Sequence, residues 1–417
     1  MEVSNEIKFH QKLISYLLIS IPILLITGPF LPDVAVVIIC MLYLYNCFSG
    51  KTKIPIKNPY FIIFLLFYFV CILSSLFSDY QSLSIFKSIA YIRFLIFSLA
   101  IAYILSIDRK VAEKLFFSIL LCFVVLIIDG FYQFIFKQNI IGLELKGDRV
   151  SSFFKDELIY GSYLSKFLPL FLSLFFLTIT KNNKLNLLFS AIFFLSILAI
   201  AISGERSSLF MTILILIYLL IMLNLKFKIL LTFFVMILIG LSSLLIFNDT
   251  VKNRIIIFTK NQIFTKNKIF VFSEDHTGHL LSAIDIFQNN NKLIGIGPKN
   301  YRNYCFNNKK YENKPFVCSS HPHNTYIQIL IETGIAGFII LVFVYIRIIY
   351  LSLKHFYLKT IKKKSLINNF QISLISFYFM ILWPLIPTGS FFNNYLSIIY
   401  YIPLGFIIWS KTGLKKI

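Results

Sequence analysis

Apolar residues in this chain come in long unbroken runs, without the alternation of a half-buried strand or the narrow stripe of a soluble helix. Twelve runs lie at roughly 13–30, 33–49, 59–77, 85–106, 114–136, 158–180, 186–203, 207–224, 229–247, 324–351, 366–387 and 391–410. Each is close to the ~20 residues that cross a bilayer as a helix. The pattern predicts an all-α polytopic membrane protein with about twelve transmembrane helices. Only 248–323 lacks such runs, which predicts one large, partly helical loop outside the bilayer. The expected organisation is a membrane domain over 1–247 (spans 1–9), the loop over 248–323, and a second membrane part over 324–417 (spans 10–12). The first run has no A-x-A-like end and leads into another, so it is expected to remain as a span.

Inside the loop, residues 279–290 place Leu280, Leu281, Ile284 and Phe287 on one helical face. That face suits a helix lying on the membrane surface or one packed against the bundle. Gly295 and Gly297 break the pattern before Pro298. Pro322 pushes His321 towards an extended conformation, and Asn324 is placed to cap the helix that follows. Asn324, Gln328 and Glu332 recur every four residues and share a face, with Tyr326 beside them. A polar stripe descending from the outer surface predicts a wet substrate cavity inside the bundle. Gly334 and Gly337 predict close approach of a neighbouring helix.

Composition agrees and adds an orientation. Of 417 residues, 58% are hydrophobic and only 14% charged, against about a quarter charged in a soluble protein. With the N-terminus inside, the predicted inner segments hold 20 of the 40 Lys and Arg, twelve between Lys8 and Lys228 and eight between Lys354 and Lys416. The short outer turns near 31, 80 and 389 hold none. Both termini are therefore expected in the cytoplasm. The net charge of +22 then belongs largely to short loops facing an anionic leaflet, with no basic face, and no nucleic acid is expected as a partner. Two outer segments are basic against the rule: 137–157, with Lys137, Lys146, Arg149 and Lys155, and 248–323, with eleven Lys and Arg. They would suit an anionic substrate such as a lipid-linked pyrophosphate.

Cys40, Cys47, Cys71 and Cys122 fall inside spans and read as small hydrophobes. Cys305 and Cys318 are the two in the loop. In this topology they face an oxidising compartment, which predicts a disulfide closing a basic loop with Lys309, Lys310 and Lys314. A zinc site made from them with His321 and His323 lacks paired C-x-x-C spacing, so no metal is expected. The chain has no G-x-x-x-x-G-K and no H-E-x-x-H, which argues against nucleotide hydrolysis and zinc proteolysis. Four of six histidines, His276, His279, His321 and His323, lie in the loop. A loop histidine is ordinarily a solvated side chain. His321 and His323, however, stand at the mouth of the polar stripe, where a neutral imidazole can take a proton from an attacking hydroxyl. His323, beside the helix cap, is the first candidate and His321 the second. Arg206, in Ser203-Gly204-Glu205-Arg206-Ser207-Ser208, is either neutralised by Glu205 or held as a guanidinium for bidentate phosphate binding. Arg149 and Arg302 are further outer candidates, and Asp79 and Glu332 further acidic ones. Arg93, deep in the fourth span, needs a partner, for which Asp129 is the candidate.

Three stretches carry a resemblance. SGERSSLF (203–210) is similar to a Ser-Gly-x-Arg segment, and KLIGIGPKNYRNYC (292–305) to a Pro-x-x-Gly-x-Gly stretch. HPHNTYIQILIETGIAGF (321–338) is close to His-x-His-Asn-x-Tyr-x-Gln followed by Glu-x-Gly-x-x-Gly. Together with the span count they resemble the O-antigen ligase and polymerase superfamily of bacterial envelope glycosyltransferases. The resemblance implies a multi-pass enzyme of the bacterial inner membrane, active at the periplasmic face in lipopolysaccharide biosynthesis, without metal or other cofactor. As an O-antigen ligase it would move a glycan from undecaprenyl diphosphate to lipid A–core oligosaccharide. As a polymerase it would pass the glycan to another carrier-linked repeat, and as a protein O-oligosaccharyltransferase to a Ser or Thr hydroxyl. By position, the resemblance implies that His323 activates the acceptor hydroxyl and Arg206 holds the pyrophosphate. Arg149, Arg302 and His279 are then further diphosphate contacts, and Asn324, Tyr326, Gln328 and Glu332 line the substrate cavity. A second loop arginine common in the family has no counterpart at His276-Thr277-Gly278-His279, leaving His279, Lys292 or Arg302 to substitute. A transporter, the reading from another class, would show broken helices in corresponding halves; the sequence gives no such pairing.

Overall fold

The computed structural model describes residues 5–178, 183–265, 268–269, 273–312 and 317–413. Lys181, Lys266, Lys314, Lys415 and Lys416, counted above, lie outside the described residues. The first nine α-helices are α1 (Asn5–Thr27), α2 (Phe30–Phe48), α3 (Pro59–Leu76), α4 (Gln81–Ile107), α5 (Lys110–Phe136), α6 (Tyr160–Thr178), α7 (Asn183–Ile202), α8 (Arg206–Met222) and α9 (Phe227–Phe247). The loop carries α10 (Asp249–Lys252), α11 (Phe258–Ile263), α12 (Glu274–Gln288) and α13 (Tyr301–Phe306). It also carries a two-residue antiparallel pair, β1 (Phe264–Thr265) and β2 (Lys268–Ile269). Three long helices close the chain: α14 (Thr325–Thr360), α15 (Asn369–Ile381) and α16 (Asn394–Gly413). Among the described residues, nine helices, α1–α7, α9 and α14, are long and apolar enough to cross a membrane, and α8, α15 and α16 are apolar but shorter.

The bundle is knit by packing of apolar faces. α16 lies along α4, α15 between α6 and α8, α1 against α2 and α5, and α14 against α3. Aromatic rings fill the joints: Tyr91 of α4 stacks on Phe64 of α3 at 5.9 Å, and Phe94 stacks on Tyr401 of α16 at 5.6 Å. Such contacts matter because lipid tails are as apolar as the side chains, so tight packing must supply the association energy. Arg93 pairs at 2.8 Å with Asp33 of α2, which corrects the expected pairing with Asp129. Asp129 instead takes the Ser152 hydroxyl and the Ile140 amide, and Gln133 takes the Ser151 and Ser152 amides at 3.0 and 2.7 Å. The end of α5 thus grips the 137–157 segment and fixes where Arg149 emerges.

Two departures from regular helix shape the outer face. α15 stops at Ile381, short of the predicted 387, because Pro384 and Pro387 supply no amide and bar helix in the residue before each. Residues 382–393 then run as irregular chain. α14 breaks at Gly334, whose φ is 67°. The glycine stretch of the loop fills the break. Ile296 and Gly297 donate to the Ile331 and Glu332 carbonyls at 2.9 Å each, and Ile335 and Ala336 donate to Lys292 and Leu293 at 2.9 and 3.1 Å. The close partner at Gly334 is therefore this loop backbone and not a neighbouring helix. A Cβ on Gly295 would stand 2.4 Å from the Ile331 oxygen, so only glycine fits.

α12 packs on α14 through a small core of Ala283, Ile286, Ile296, Tyr301 and Ile331. Of the predicted apolar face, Phe287 packs against this core, while Leu281 is 63% exposed and Ile284 38%. Cys305 and Cys318 are joined in a disulfide with Cα atoms 5.6 Å apart.

Candidate active site

The segment Ser319–Asn324 leads into α14 and is held by the irregular chain after α15. Asn324 caps α14 through the Tyr326 and Ile327 amides, at 3.0 and 3.1 Å, and donates to the Pro384 carbonyl at 2.8 Å. The Tyr326 hydroxyl donates to Leu382 at 2.7 Å. Gln328 accepts from the Phe391 amide at 2.8 Å and donates to Ser390 and to Glu332, each at 3.0 Å. Non-helical backbone at membrane depth needs internal partners, and this stripe supplies them. The polar atoms of Asn324, Tyr326, Gln328 and Glu332, expected to line a substrate cavity, are taken here by residues 382–391, by the α13 amide of Tyr301 and by one another.

Above the stripe the four loop histidines converge. The His323 ring lies 4.0 Å from that of His321, 5.0 Å from His276 and 5.4 Å from His279. His321 donates from Nε2 to the Thr388 carbonyl at 3.1 Å, so its Nδ1 accepts from Ser320 at 2.9 Å. His279 donates from Nδ1 to the Val317 carbonyl at 3.3 Å, next to the disulfide. The His323 ring nitrogens take no hydrogen bond among the described residues. Its φ of 57° is in the left-handed region, and its carbonyl accepts from the Thr388 amide at 2.8 Å. A non-glycine residue held there is strained by about 1–3 kcal/mol and marks a functional candidate. Burial pushes His323 down to about 3, with His321, His276 and His279 adding to the effect. Burial also pushes His321 down to about 4, against the Thr388 carbonyl and with help from the Lys299 ammonium. Both imidazoles are neutral at pH 7.

A second group is made of arginines. Gly204, with φ of 70°, makes the turn between α7 and α8, and a Cβ there would stand 3.3 Å from Cγ of both Arg149 and Arg254. Arg149, Arg206 and Arg254 are within electrostatic reach of one another. None is in an ion pair among the described residues. Arg149 donates to the Leu158 carbonyl at 3.1 Å, Arg206 to Thr259 at 3.4 Å, and Arg254 points Nε at the Gly204 carbonyl at 3.5 Å. Glu205 does not neutralise Arg206. It turns inward and takes the Gly161 and Ser162 amides of α6 at 2.7 and 3.1 Å and the Ser208 hydroxyl at 3.0 Å. Burial raises its pKa, while Arg149, Lys166 and these donors hold it down.

A cavity of about 100 Å³ opens below the Gly204 turn, lined by residues that include Ser162, Lys166, Glu205, Ser207, Ser208 and Thr388. Thr388 joins the two halves of the site: it lines this cavity and holds both His321 and His323. Arg206 and Arg149 therefore come together, and Thr388 links the cavity below their turn to the histidines. Two candidates do not join them. Arg302 is exposed, its guanidinium over the Phe306 ring at 5.9 Å, because α13 turns it outward while burying Tyr301. His279 stacks with His323 and is not among the arginines. Arg254 and Lys166 escape the sequence reading. Arg254 sits in a π-helical turn, Asn253–Ile257, a rare geometry frequent at functional sites. Lys166 is marked by its apolar context alone, since a lysine inside a span is itself a functional flag.

No curated protein matches the chain. Residues 191–342, which supply Arg206, Arg254 and the four loop histidines, match the O-antigen ligase family, and the chain thus carries a segment of the O-antigen ligase superfamily within a polytopic membrane protein.

Proposed function

We propose that the chain is an O-antigen ligase that moves a glycan from undecaprenyl diphosphate to lipid A–core oligosaccharide at the periplasmic face of the bacterial inner membrane. In this reading all twelve apolar helices cross the membrane, residues 248–323 form the periplasmic loop and both termini are cytoplasmic. The observation that carries it is the convergence of Arg149, Arg206 and Arg254, without an ion-pair partner among the described residues, at a turn whose Glu205 lines a cavity with Thr388, the residue that also holds the neutral His323. Three guanidinium groups can chelate the oxygens of a diphosphate and stabilise charge as it leaves. The acceptor hydroxyl oxygen attacks the anomeric carbon, the carbon–oxygen bond to phosphate breaks, and the proton passes to His323. A low proton affinity keeps His323 neutral before binding. The bound dianion favours the imidazolium as it forms. Diphosphate is already a good leaving group, so alignment, proton acceptance and charge stabilisation suffice, with no nucleotide or metal.

Deleting the gene and resolving the lipopolysaccharide on gels tests the acceptor. Bare core with polymer accumulated on the carrier supports the ligase. Core capped by single repeats would replace it with a polymerase, and an unchanged pattern would point to a protein acceptor or to transport.

A further inference from the structure

Lys166 stands apart from the groups used above. It lies in the second turn of α6 and is 7% exposed. Its ammonium donates to the Ser162 hydroxyl and to no other group among the described residues. An ammonium has three donors, and a buried one is strongly disfavoured unless they are filled. Glu205 shares the cavity without forming an ion pair with it. One Glu205 oxygen takes Gly161 and the other takes Ser162 and Ser208. Lys166 lines the cavity, and its remaining donors take no acceptor among the described residues.

The surroundings favour an anion. The cavity lies between two helix N-termini, that of α6 at Ser162 and that of α8 at Ser207 and Ser208. Glu205 already occupies the first. No acceptor takes the Ser207 and Ser208 amides or the Ser207 hydroxyl among the described residues, and first-turn amides of this kind bind phosphate oxygens. Arg149 and Lys166 act on the single charge of Glu205, and Arg206 and Arg254 stand beside Arg149, so these four cations exceed that carboxylate by three. At about 100 Å³ the cavity is well below the ~300 Å³ of an ordinary small-molecule pocket, so it suits a compact group and not a glycan.

We propose that this cavity is a phosphate subsite, in which Lys166 and the first turn of α8 take oxygens of the donor's diphosphate that reach past Arg206. Lys166 is then a substrate-binding residue. The proposal rests on the diphosphate reading of the arginines and adds a fourth cation from a different helix.

The test is binding of inorganic pyrophosphate to the purified full-length chain in nanodiscs, by calorimetry, for wild type and for Lys166→Met, Arg206→Ala and Ser207→Ala. Lys166→Met should weaken binding about tenfold or more and raise the donor KM while leaving the acceptor KM unchanged. Ser207→Ala, which removes a hydroxyl with no contact in the fold, should weaken it by roughly two- to fivefold. Wild-type affinity in Lys166→Met overturns the proposal. If Arg206→Ala alone loses affinity, the subsite falls and the diphosphate reading stands. If wild type does not bind pyrophosphate and Arg206→Ala still transfers glycan, both fall. Should Lys166→Met fail to fold, Ser207→Ala decides, and unchanged affinity there overturns the subsite.

Discussion

Arg254→Ala separates a binding role from a structural one. Arg254 has no carboxylate partner among the described residues, a marginal 3.5 Å contact to the Gly204 carbonyl and a ring contact with Phe258 at 5.2 Å. The ring contact contributes about 0.5–1 kcal/mol at an exposed site. Against it stands repulsion from Arg149 and Arg206, since like charges ~4 Å apart cost about 1 kcal/mol even in bulk water. The two nearly cancel, so truncation should leave the melting temperature of the unliganded protein within a few degrees of wild type. The reaction should respond differently. A hydrogen bond from a guanidinium to a phosphate oxygen contributes about 1.5–3 kcal/mol. Losing one of them lowers kcat/KM by roughly 10- to 140-fold, at about 1.4 kcal/mol per tenfold. Arg254→Lys, which keeps charge but loses the fork, should fall between. Arg93→Ala is the control with the opposite profile, because it breaks the 2.8 Å pair with Asp33 and should lower the melting temperature. The assay is transfer of glycan from a purified polyprenyl-diphosphate donor, with melting followed by tryptophan fluorescence. Wild-type kcat/KM in Arg254→Ala would refute the reasoning, as would a loss that merely tracks unfolded protein.

His323→Ala should lower transfer by about 10²–10⁴-fold with folding intact, measured in the same assay; retained activity removes the imidazole from the mechanism. Gly295→Ala should destabilise the chain by about 2–4 kcal/mol, from the left-handed φ of 73° and a Cβ 2.4 Å from the Ile331 oxygen, and an unchanged melting temperature would show that the loop does not clasp α14. Cys305→Ser should loosen the loop by about 3 kcal/mol or less, read as faster protease cleavage near Lys309 and Lys310. His321 and His323, at about 4 and 3, bind fewer protons folded than unfolded, where the ordinary value is about 6.5. Their contribution to stability is therefore complete above pH 6.5 and is lost as pH falls towards 4 and then 3. Melting of the chain against pH checks this, and a profile that rises on acidification contradicts it.

The helical architecture was legible because a bilayer imposes a length and an apolarity that each run either meets or misses. The outer chemistry was legible in part. His321, His323, Arg206 and Arg149 carry their signal in local sequence, as polar residues where a membrane protein returns to water. What could not be read was anything set by two distant segments meeting. The Asn324, Gln328 and Glu332 stripe looks like a cavity lining because its partners, residues 382–391, read as the end of a span, and only the prolines at 384 and 387 hint otherwise. The α14 break reads as two helix-packing glycines because nothing local says that residues 292–297 will fill the gap. Arg254 hides in a segment that reads as merely basic, twenty-two residues before the His276 position searched for a loop cation.

The site's charges fall into two zones, and Thr388 marks the boundary. On one side three guanidinium groups gather with no carboxylate paired to them among the described residues. On the other, three imidazoles crowd the His323 ring, whose own nitrogens take no hydrogen bond among the described residues. A cationic histidine cluster beside the arginines would add repulsion and would have no lone pair to offer an acceptor. Burial prevents this by keeping His321 and His323 neutral. Glu205 answers the complementary problem. Uncompensated cations would splay α6, α8 and the 137–157 segment apart, and a carboxylate on the α6 N-terminus binds α6 to α8 while standing near Arg149 and Lys166. Because its oxygens are already filled by amides and a hydroxyl, it offsets charge without closing any guanidinium in an ion pair. Glu205→Gln keeps one accepting oxygen for the α6 amides, sets an NH2 against the other amide and removes the charge. Its signature is therefore a lower melting temperature in the empty protein that pyrophosphate restores, and a melting temperature that pyrophosphate leaves unmoved would show that the arginines do not form an anion site.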